Sequence, residues 1–193
     1  FILDEHSETQ DLKAPLNALK SGYDCAILSE AGLPCIADPG AALVYLAHEE
    51  RLRVVPIGGD SSLLLALAAS GLNGQRFCFL GYMPIQSEEL KKELAREGKA
   101  AMHDEAARIF IETPYRNAKT LKACIEALPE NIYLCVAYDL GTNQPLIRSM
   151  SVASWRKEAF ILPEQPAVFC FGLPMNLGKK LLQPARRERR SLR

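Results

Sequence analysis

Between residues 25 and 62 the sequence sets two short apolar runs on either side of one helical segment, and each run ends in a loop of small residues. The first run, Cys25-Ala26-Ile27-Leu28, passes into Ser29-Glu30-Ala31-Gly32-Leu33-Pro34 and on to Ala37-Asp38-Pro39-Gly40. The second, Arg53-Val54-Val55-Pro56, passes into Gly58-Gly59-Asp60-Ser61-Ser62. Apolar residues that are continuous rather than alternating suit a strand covered on both faces. Strand, helix and strand with short connections predict a βαβ unit, which brings both loops to the carboxyl edge of a parallel sheet. Ligands of open α/β sheets settle at that edge. The two loops are therefore a candidate small-molecule site.

A chain of 193 residues suffices for one domain or two small ones. With 48% hydrophobic and 24% charged residues it reads as globular, not disordered. The net charge of zero gives no global pull toward nucleic acid or membrane, and leaves room for a local basic face. Residues 186–193 hold five arginines and one glutamate. They read either as a solvated tail or as an RNA-contacting one. Cysteines 25, 35, 78, 124, 135 and 170 form no C-x-x-C pair and lie mostly in apolar runs. They are expected to be reduced core residues of a cytoplasmic protein, neither a disulfide frame nor a metal site. No signal peptide is evident, and no apolar run is long enough to span a bilayer. The chain opens on Phe1-Ile2-Leu3, read as part of a strand, and an upstream segment is expected.

Taken in order, a first helix is expected around Leu12, Leu16 and Leu19, capped by Ser7 or Thr9 and ended at Gly22. Strands are expected at residues 24–29 and 53–55, with a helix over 41–50 started by Asp38 as cap. Gly58 to Ser62 precedes an Ala/Leu-rich helix over 63–70. The loop reads two ways: an anion-holding helix N-terminus, or a tight turn capped by Asp60 or Ser61. It is neither a Walker loop nor a dinucleotide fingerprint. Residues 77–80 form a strand, and Gly81-Tyr82-Met83-Pro84 reads as an inter-domain linker. A charged amphipathic helix over 88–97 follows. Then come a strand at 108–112, a helix over 118–128, a strand at 133–138, a strand near 147–152, a short helix opened by Trp155, and a last strand at 167–171. The organisation is two α/β halves, 1–83 and 84–175, with a basic tail over 176–193.

Several of these stretches together resemble one family. They are Ser29 to Pro34 with Ala37 to Gly40, Val54-Val55-Pro56 with the Gly/Ser loop, Ala68-Ala69-Ser70-Gly71-Leu72-Asn73-Gly74-Gln75, Gly81-Tyr82-Met83-Pro84, and Ile111-Glu112-Thr113-Pro114-Tyr115-Arg116-Asn117. In that order they resemble the S-adenosylmethionine-dependent tetrapyrrole methylases. Within them they are similar to the branch holding the 16S ribosomal RNA cytidine 2′-O-methyltransferase, and most similar to a subgroup named only as methyltransferases. The resemblance implies two α/β domains, S-adenosylmethionine in the cleft between them, and a homodimer. It implies that Glu30, Ala31, Gly32, Leu33 and Pro34 form one wall of the cofactor site. It places Ser61 and Ser62 near the methionine part, and Glu112, Thr113, Pro114 and Arg116 on the second domain's side. The bland reading of Glu112 to Arg116 is an ion-paired strand-to-helix turn. Glu5, His6, Glu30 and Glu112 are general-base candidates by residue type only, and His6 reads equally as a satisfied loop residue.

The chain departs from the family pattern in three places. Gly58-Gly59-Asp60-Ser61-Ser62 stands where relatives have Gly-Pro-Ser, which frees the backbone and adds a charge. Tyr138-Asp139-Leu140-Gly141-Thr142-Asn143 stands where the ribosomal RNA enzymes have Arg-Glu-Leu-Thr-Lys, without its two cations. The family's first strand and its Gly/Pro-rich loop would precede Phe1. The resemblance implies methyl transfer to RNA, with ribosomal RNA as partner and no membrane. A small-molecule acceptor of tetrapyrrole type, or a non-catalytic cofactor-binding paralogue, are the alternatives.

Overall fold

The computed structural model describes residues 1–4, 7 and 10–175. Its helices are α1 Lys13–Lys20, α2 Ala41–Glu49, α3 Ser62–Ser70, α4 Ser87–Asp104, α5 Asn117–Ala127 and α6 Val152–Trp155. Its strands are β1 Phe77–Tyr82, β2 Ala107–Glu112, β3 Tyr133–Tyr138, β4 Leu146–Ser151 and β5 Ala167–Gly172. They form one sheet in the order β1-β2-β5-β3-β4. β1 runs parallel to β2, and the remaining pairings are antiparallel.

Alternation along the inner strands divides their side chains between two cores. Phe110, Leu134, Val136, Phe169 and Phe171 join Leu90 and Leu94 of α4, Leu121 of α5 and Trp155 of α6. Phe110 and Phe169 stack with ring centroids 4.9 Å apart. Trp155 Nε1 donates to the Leu134 carbonyl at 2.8 Å, so its buried N–H is satisfied. On the other face Ile109, Cys135, Ala137, Val168 and Cys170 meet Leu63, Ala66 and Leu67 of α3. The sheet is thus the middle of three layers, which explains why β3 and β5 are apolar without a break.

The stripe Leu90, Leu94, Gly98 and Ala101 makes α4 a helix with one buried face. Gly98 sits where α4 crosses the end of α5. A Cβ there would stand 2.9 Å from both Leu128 Cδ2 and Pro129 Cδ, so only glycine allows this approach. A charged group is buried near the start of β2. Arg108 of β2 is buried, and its Nε donates to Glu97 Oε2 at 2.8 Å. Its Nη1 and Nη2 donate to the two oxygens of Asp104 at 3.1 and 2.8 Å. This bidentate fork ties the end of α4 to the strand that follows it.

Several expectations need correction. No strand forms at residues 1–3, 24–29 or 53–55, so the parallel βαβ unit is not built among the described residues. A ladder needs a partner's N–H and C=O groups in register, and an apolar run supplies neither. Leu28, Val55 and Ile57 remain 88%, 57% and 83% exposed. Asp38 does not cap α2; the N-cap is Gly40, whose φ of 124° favours glycine. Ser7 does not cap α1, whose N-cap is Leu12; its Oγ accepts from the Asp4 N–H at 2.8 Å. Gly81 to Pro84 is no free linker, since Gly81 and Tyr82 end β1 and Met83 is buried in the core. Trp155 closes α6 instead of opening it, because Ser151 caps the helix from Val152 onward by accepting from the Ser154 N–H. Cys124, Cys135 and Cys170 are buried as expected, and burial pushes their thiols up. Cys25 and Cys78 are exposed, Cys78 because β1 is an edge strand. Glu5, His6, Thr9 and the tail over 176–193 lie outside the described residues.

The Arg108 fork makes stability depend on acid. Its hydrogen bonds hold the Asp104 carboxyl at about 2, below the ordinary 3.8. A depressed carboxylate pKa contributes stability that is complete above the unfolded value and lost as pH falls through the folded one. The loss is therefore expected between about pH 4 and pH 2. Asp104 is partly exposed, so screening reduces its share to about 1 kcal/mol. In urea melts, Asp104→Asn should lower stability by about that much at pH 7 and flatten the acid limb. An unchanged limb refutes the assignment.

Candidate functional site

The register of the sheet decides which loops share an edge. Tyr82 of β1 pairs with Ile111 of β2, so both strands end together. Glu112 pairs with Ala167, and Ala167 with Tyr138, which pairs in turn with Leu146. One edge therefore gathers the exits of β1, β2 and β3 and the entries of β4 and β5. Sites in α/β sheets form at the carboxyl ends of the parallel strands. Here those ends are Tyr82 and Glu112.

Glu112 has a fully enclosed carboxylate. Its Oε1 accepts from the Thr113 N–H at 2.8 Å and from Thr113 Oγ1 at 3.3 Å. Its Oε2 accepts from Thr120 Oγ1 at 2.7 Å and pairs with Arg116 Nη2 at 3.2 Å. Arg116 also donates to the Pro84 carbonyl at 2.8 Å, while its Nε is buried without a partner among the described residues. Asn117 Nδ2 donates to the Gln165 carbonyl at 2.6 Å, tying the entry of β5 to α5. Glu112 to Arg116 is thus an ion-paired turn, and Glu112 is occupied as an acceptor, not free as a base. Thr120 and Asn117 escaped sequence reading. Their signal was the four-residue helical spacing from Arg116 to Thr120, which puts a hydroxyl beside the same carboxylate.

The two small-residue loops do come together. A Cβ on Gly59 would lie 3.3 Å from Leu33 Cδ2, so the second loop packs on the first. Ser29 Oγ donates to the Gly32 carbonyl at 3.1 Å and closes the first turn. Cys35 and Ala37 hold φ of 68° and 59°, a left-handed backbone that non-glycine residues adopt at some cost. Beside this loop lies an open cavity of about 670 Å³. Its lining runs from Cys25 to Glu30, takes in Asp4, Asp38 and Leu43, and ends on Tyr82 of the sheet. Of the expected cofactor residues, Glu30 lines it, and the others stand outside its lining. Tyr82, Asp4 and Asp38 were not foreseen. The carboxyl end of β1 was the signal for Tyr82. Among the described residues the lining carries three carboxylates and neither lysine nor arginine. Ser61 is buried at the N-cap of α3, yet no side chain caps that helix, and Asp60 is exposed. The first N–H groups of α3 are thereby left for other acceptors. No cluster among the described residues could hold a metal ion, and none of their helices is long and apolar enough to cross a membrane.

The fold recurs in a solved protein. The chain matches the crystal structure of the methyltransferase CobJ with a TM-score of 0.57 at 18% identity, covering 88% of this chain and 73% of that one. The chain therefore shares the α/β fold of that methyltransferase. No family model matches the chain. Curated relatives do. The chain is 34% identical over 161 residues to "Ribosomal RNA small subunit methyltransferase I" of Escherichia coli O157:H7, covering 82% of this chain and 55% of the relative. It is 39% identical over 190 residues to the protein of that name from Mesorhizobium japonicum, covering 94% and 63%. The chain is homologous to these ribosomal RNA small subunit methyltransferase I proteins. It spans little more than half the length of most of the curated relatives it matches.

The Glu112–Arg116 pair should behave as a buried structural unit. Removing one partner strands the other charge, at a cost of about 3 kcal/mol. Glu112→Gln is expected to show that loss in chemical denaturation, and Glu112→Gln/Arg116→Met to recover about half of it. Additive losses in the double variant would show that the two side chains do not act as a pair.

Proposed function

We propose that this chain is an S-adenosylmethionine-dependent methyltransferase acting on ribosomal RNA of the small subunit, as a homodimer in the cytoplasm. The similarity that carries the reading is the 34% and 39% identity to proteins of that name over 82% and 94% of the chain.

The residues present fit the cofactor. Its sulfonium and ammonium are cations, and the cavity is lined by Asp4, Glu30 and Asp38. Its carboxylate needs donors, and the uncapped start of α3 at Ser61 and Ser62 supplies backbone N–H groups. Leu33 against Gly59 makes a wall of small residues that admits a ligand to the backbone. Glu30, Ala31, Gly32, Leu33 and Pro34 would form that wall. Thr113, Pro114 and Arg116, held in place by Glu112, would face it from the second half, with Arg116 Nε as an unspent donor. When bound, the sulfonium supplies an electrophilic methyl group. The protein's own task is to align the acceptor oxygen in line with it and keep water out. Glu30 is the general-base candidate at the cavity. The loop over 138–143, which lacks the Arg and Lys of the ribosomal RNA enzymes, favours a small-molecule acceptor as second reading.

Transfer of radiolabelled methyl groups to small ribosomal subunits lacking their native methylation tests the proposal. Labelled RNA supports it, and S-adenosylmethionine binding without labelled RNA turns it to the second reading. Asp60 places a charge beside the start of α3. Asp60→Asn should tighten S-adenosylmethionine binding about 3-fold by calorimetry, the size of one helix-terminus charge effect. Weaker or equal binding would remove α3 from the cofactor site.

A further inference from the structure

The Glu112 turn presents more than its own hydrogen bonds. Pro114–Arg116 is a 3₁₀ turn, and Tyr115 at its centre is 78% exposed. The turn is fixed on both sides of it, Thr113 by Glu112, and Arg116 by Glu112 and Pro84. Tyr115 is thus a large ring held out on a rigid turn, with little backbone entropy left to lose on contact. Across from it, the end of β1 carries Tyr82, 61% exposed, and the connection to α4 carries Ile85, 73% exposed. Two hydrogen bonds stitch that connection to the same turn. Arg116 donates to the Pro84 carbonyl at 2.8 Å, and Lys119 Nζ to the Ile85 carbonyl at 3.2 Å. Tyr82 and Tyr115 therefore belong to one sheet edge, and Tyr82 also lines the cavity. Lys119 is exposed and spends one of its three N–H donors on Ile85. An exposed ammonium and two exposed rings at one sheet edge match the two parts of a nucleotide. Rings stack on any unpaired base, and the cation meets its phosphate. Inside the cavity the charge is of the other sign, from Asp4, Glu30 and Asp38. A phosphate is repelled there, and Lys119 lies outside that lining.

We propose that Tyr115, with Tyr82 and Lys119, seats an unstacked single-stranded nucleotide of the acceptor at the mouth of the cavity. The inference deepens the RNA reading above and rests on it. A base inside a duplex hides its faces and holds its ribose in the helix, so a nucleotide presented to a cleft must first be splayed out. Tyr115 then fixes the base, Lys119 the backbone, and the sugar is left toward the cavity.

The test is fluorescence anisotropy of a short labelled oligocytidylate titrated with the full chain across a salt series. Tyr115→Ala should weaken binding about 10-fold, the loss of one stacking ring, with the salt slope unchanged. Tyr115→Phe should bind like the parent. Lys119→Gln should lower the slope of log K against log salt by about 0.7, one phosphate contact on a single strand. Thermal melts of each variant separate these effects from unfolding. Equal affinity of Tyr115→Ala and the parent, an unchanged slope for Lys119→Gln, or no oligonucleotide binding by the parent each overturns the inference. Calorimetry with S-adenosylmethionine on the same preparations keeps the two ideas apart. A chain that binds the oligonucleotide through Tyr115 but not S-adenosylmethionine upholds the nucleotide seat and removes the methyl-transfer reading.

Discussion

The carboxylate of Glu112 is the point on which this end of the molecule depends. A charge with no exposed surface is tolerated only when it is paired and its lone pairs are filled. Two hydroxyls, one backbone N–H and one guanidinium meet that demand. Each of those donors is also a structural tie. Thr113 starts the turn, Thr120 is one helical step into α5, and Arg116 reaches back to Pro84 on the previous connection. A buried ion pair of this kind contributes little net stability, because desolvation consumes most of the attraction. What it confers is position. The turn after β2, the first turn of α5 and the exit of β1 cannot shift independently while the pair stands.

That local constraint matters because of the sheet beneath it. The central strands are covered on both faces, by α4, α5 and α6 on one side and by α3 on the other. Edges and ends are then the surfaces left for function. β1 is an edge strand with exposed Phe77, Cys78 and Tyr82. Its carboxyl end adjoins the cavity, while its neighbour β2 ends in the Glu112 turn. The parallel pairing of β1 and β2 is the step that puts both ends on one side. An antiparallel pair would have sent Tyr82 to the opposite edge.

Much of this was legible in the sequence. Helix α5 follows from apolar spacing and its stop from Pro129, whereas the amphipathic helix expected over 88–97 runs on to Asp104, where Glu105 ends it in a left-handed conformation. Strands β2, β3 and β5 are apolar runs whose length alone separates them from helices. The runs at 24–29 and 53–55 look the same, yet they form no ladder, because pairing is settled by residues far away in sequence. The same non-locality hid the direction of β5 and the cavity lining by Asp4 and Tyr82. The meeting of the Glu30–Gly40 and Gly58–Ser62 loops was read correctly, though from a strand arrangement that the structure lacks. Small residues were enough, since Gly59 can press on Leu33 whatever the backbone behind it. Arg108 is the opposite case. A charged residue opening an apolar strand gives no sign of its partners, which lie on a helix that crosses behind it.

Charge separates the two parts of the proposed site more sharply than shape does. The cavity collects carboxylates, and the turn tied to the end of β1 carries an exposed lysine and an exposed tyrosine. A cationic cofactor and an anionic acceptor would repel each other's sites and be sorted without any moving part. The chain as a whole is neutral, so this sorting cannot come from net charge and must come from placement. Placement in turn rests on hydrogen bonds to two carbonyls, those of Pro84 and Ile85, from side chains that the Glu112 turn holds in register. A backbone carbonyl cannot be lost by substitution of its residue. The donors Arg116 and Lys119 are therefore the variable half of the clamp, and the sequence at 116 and 119 sets how firmly the turn is tied to the end of β1.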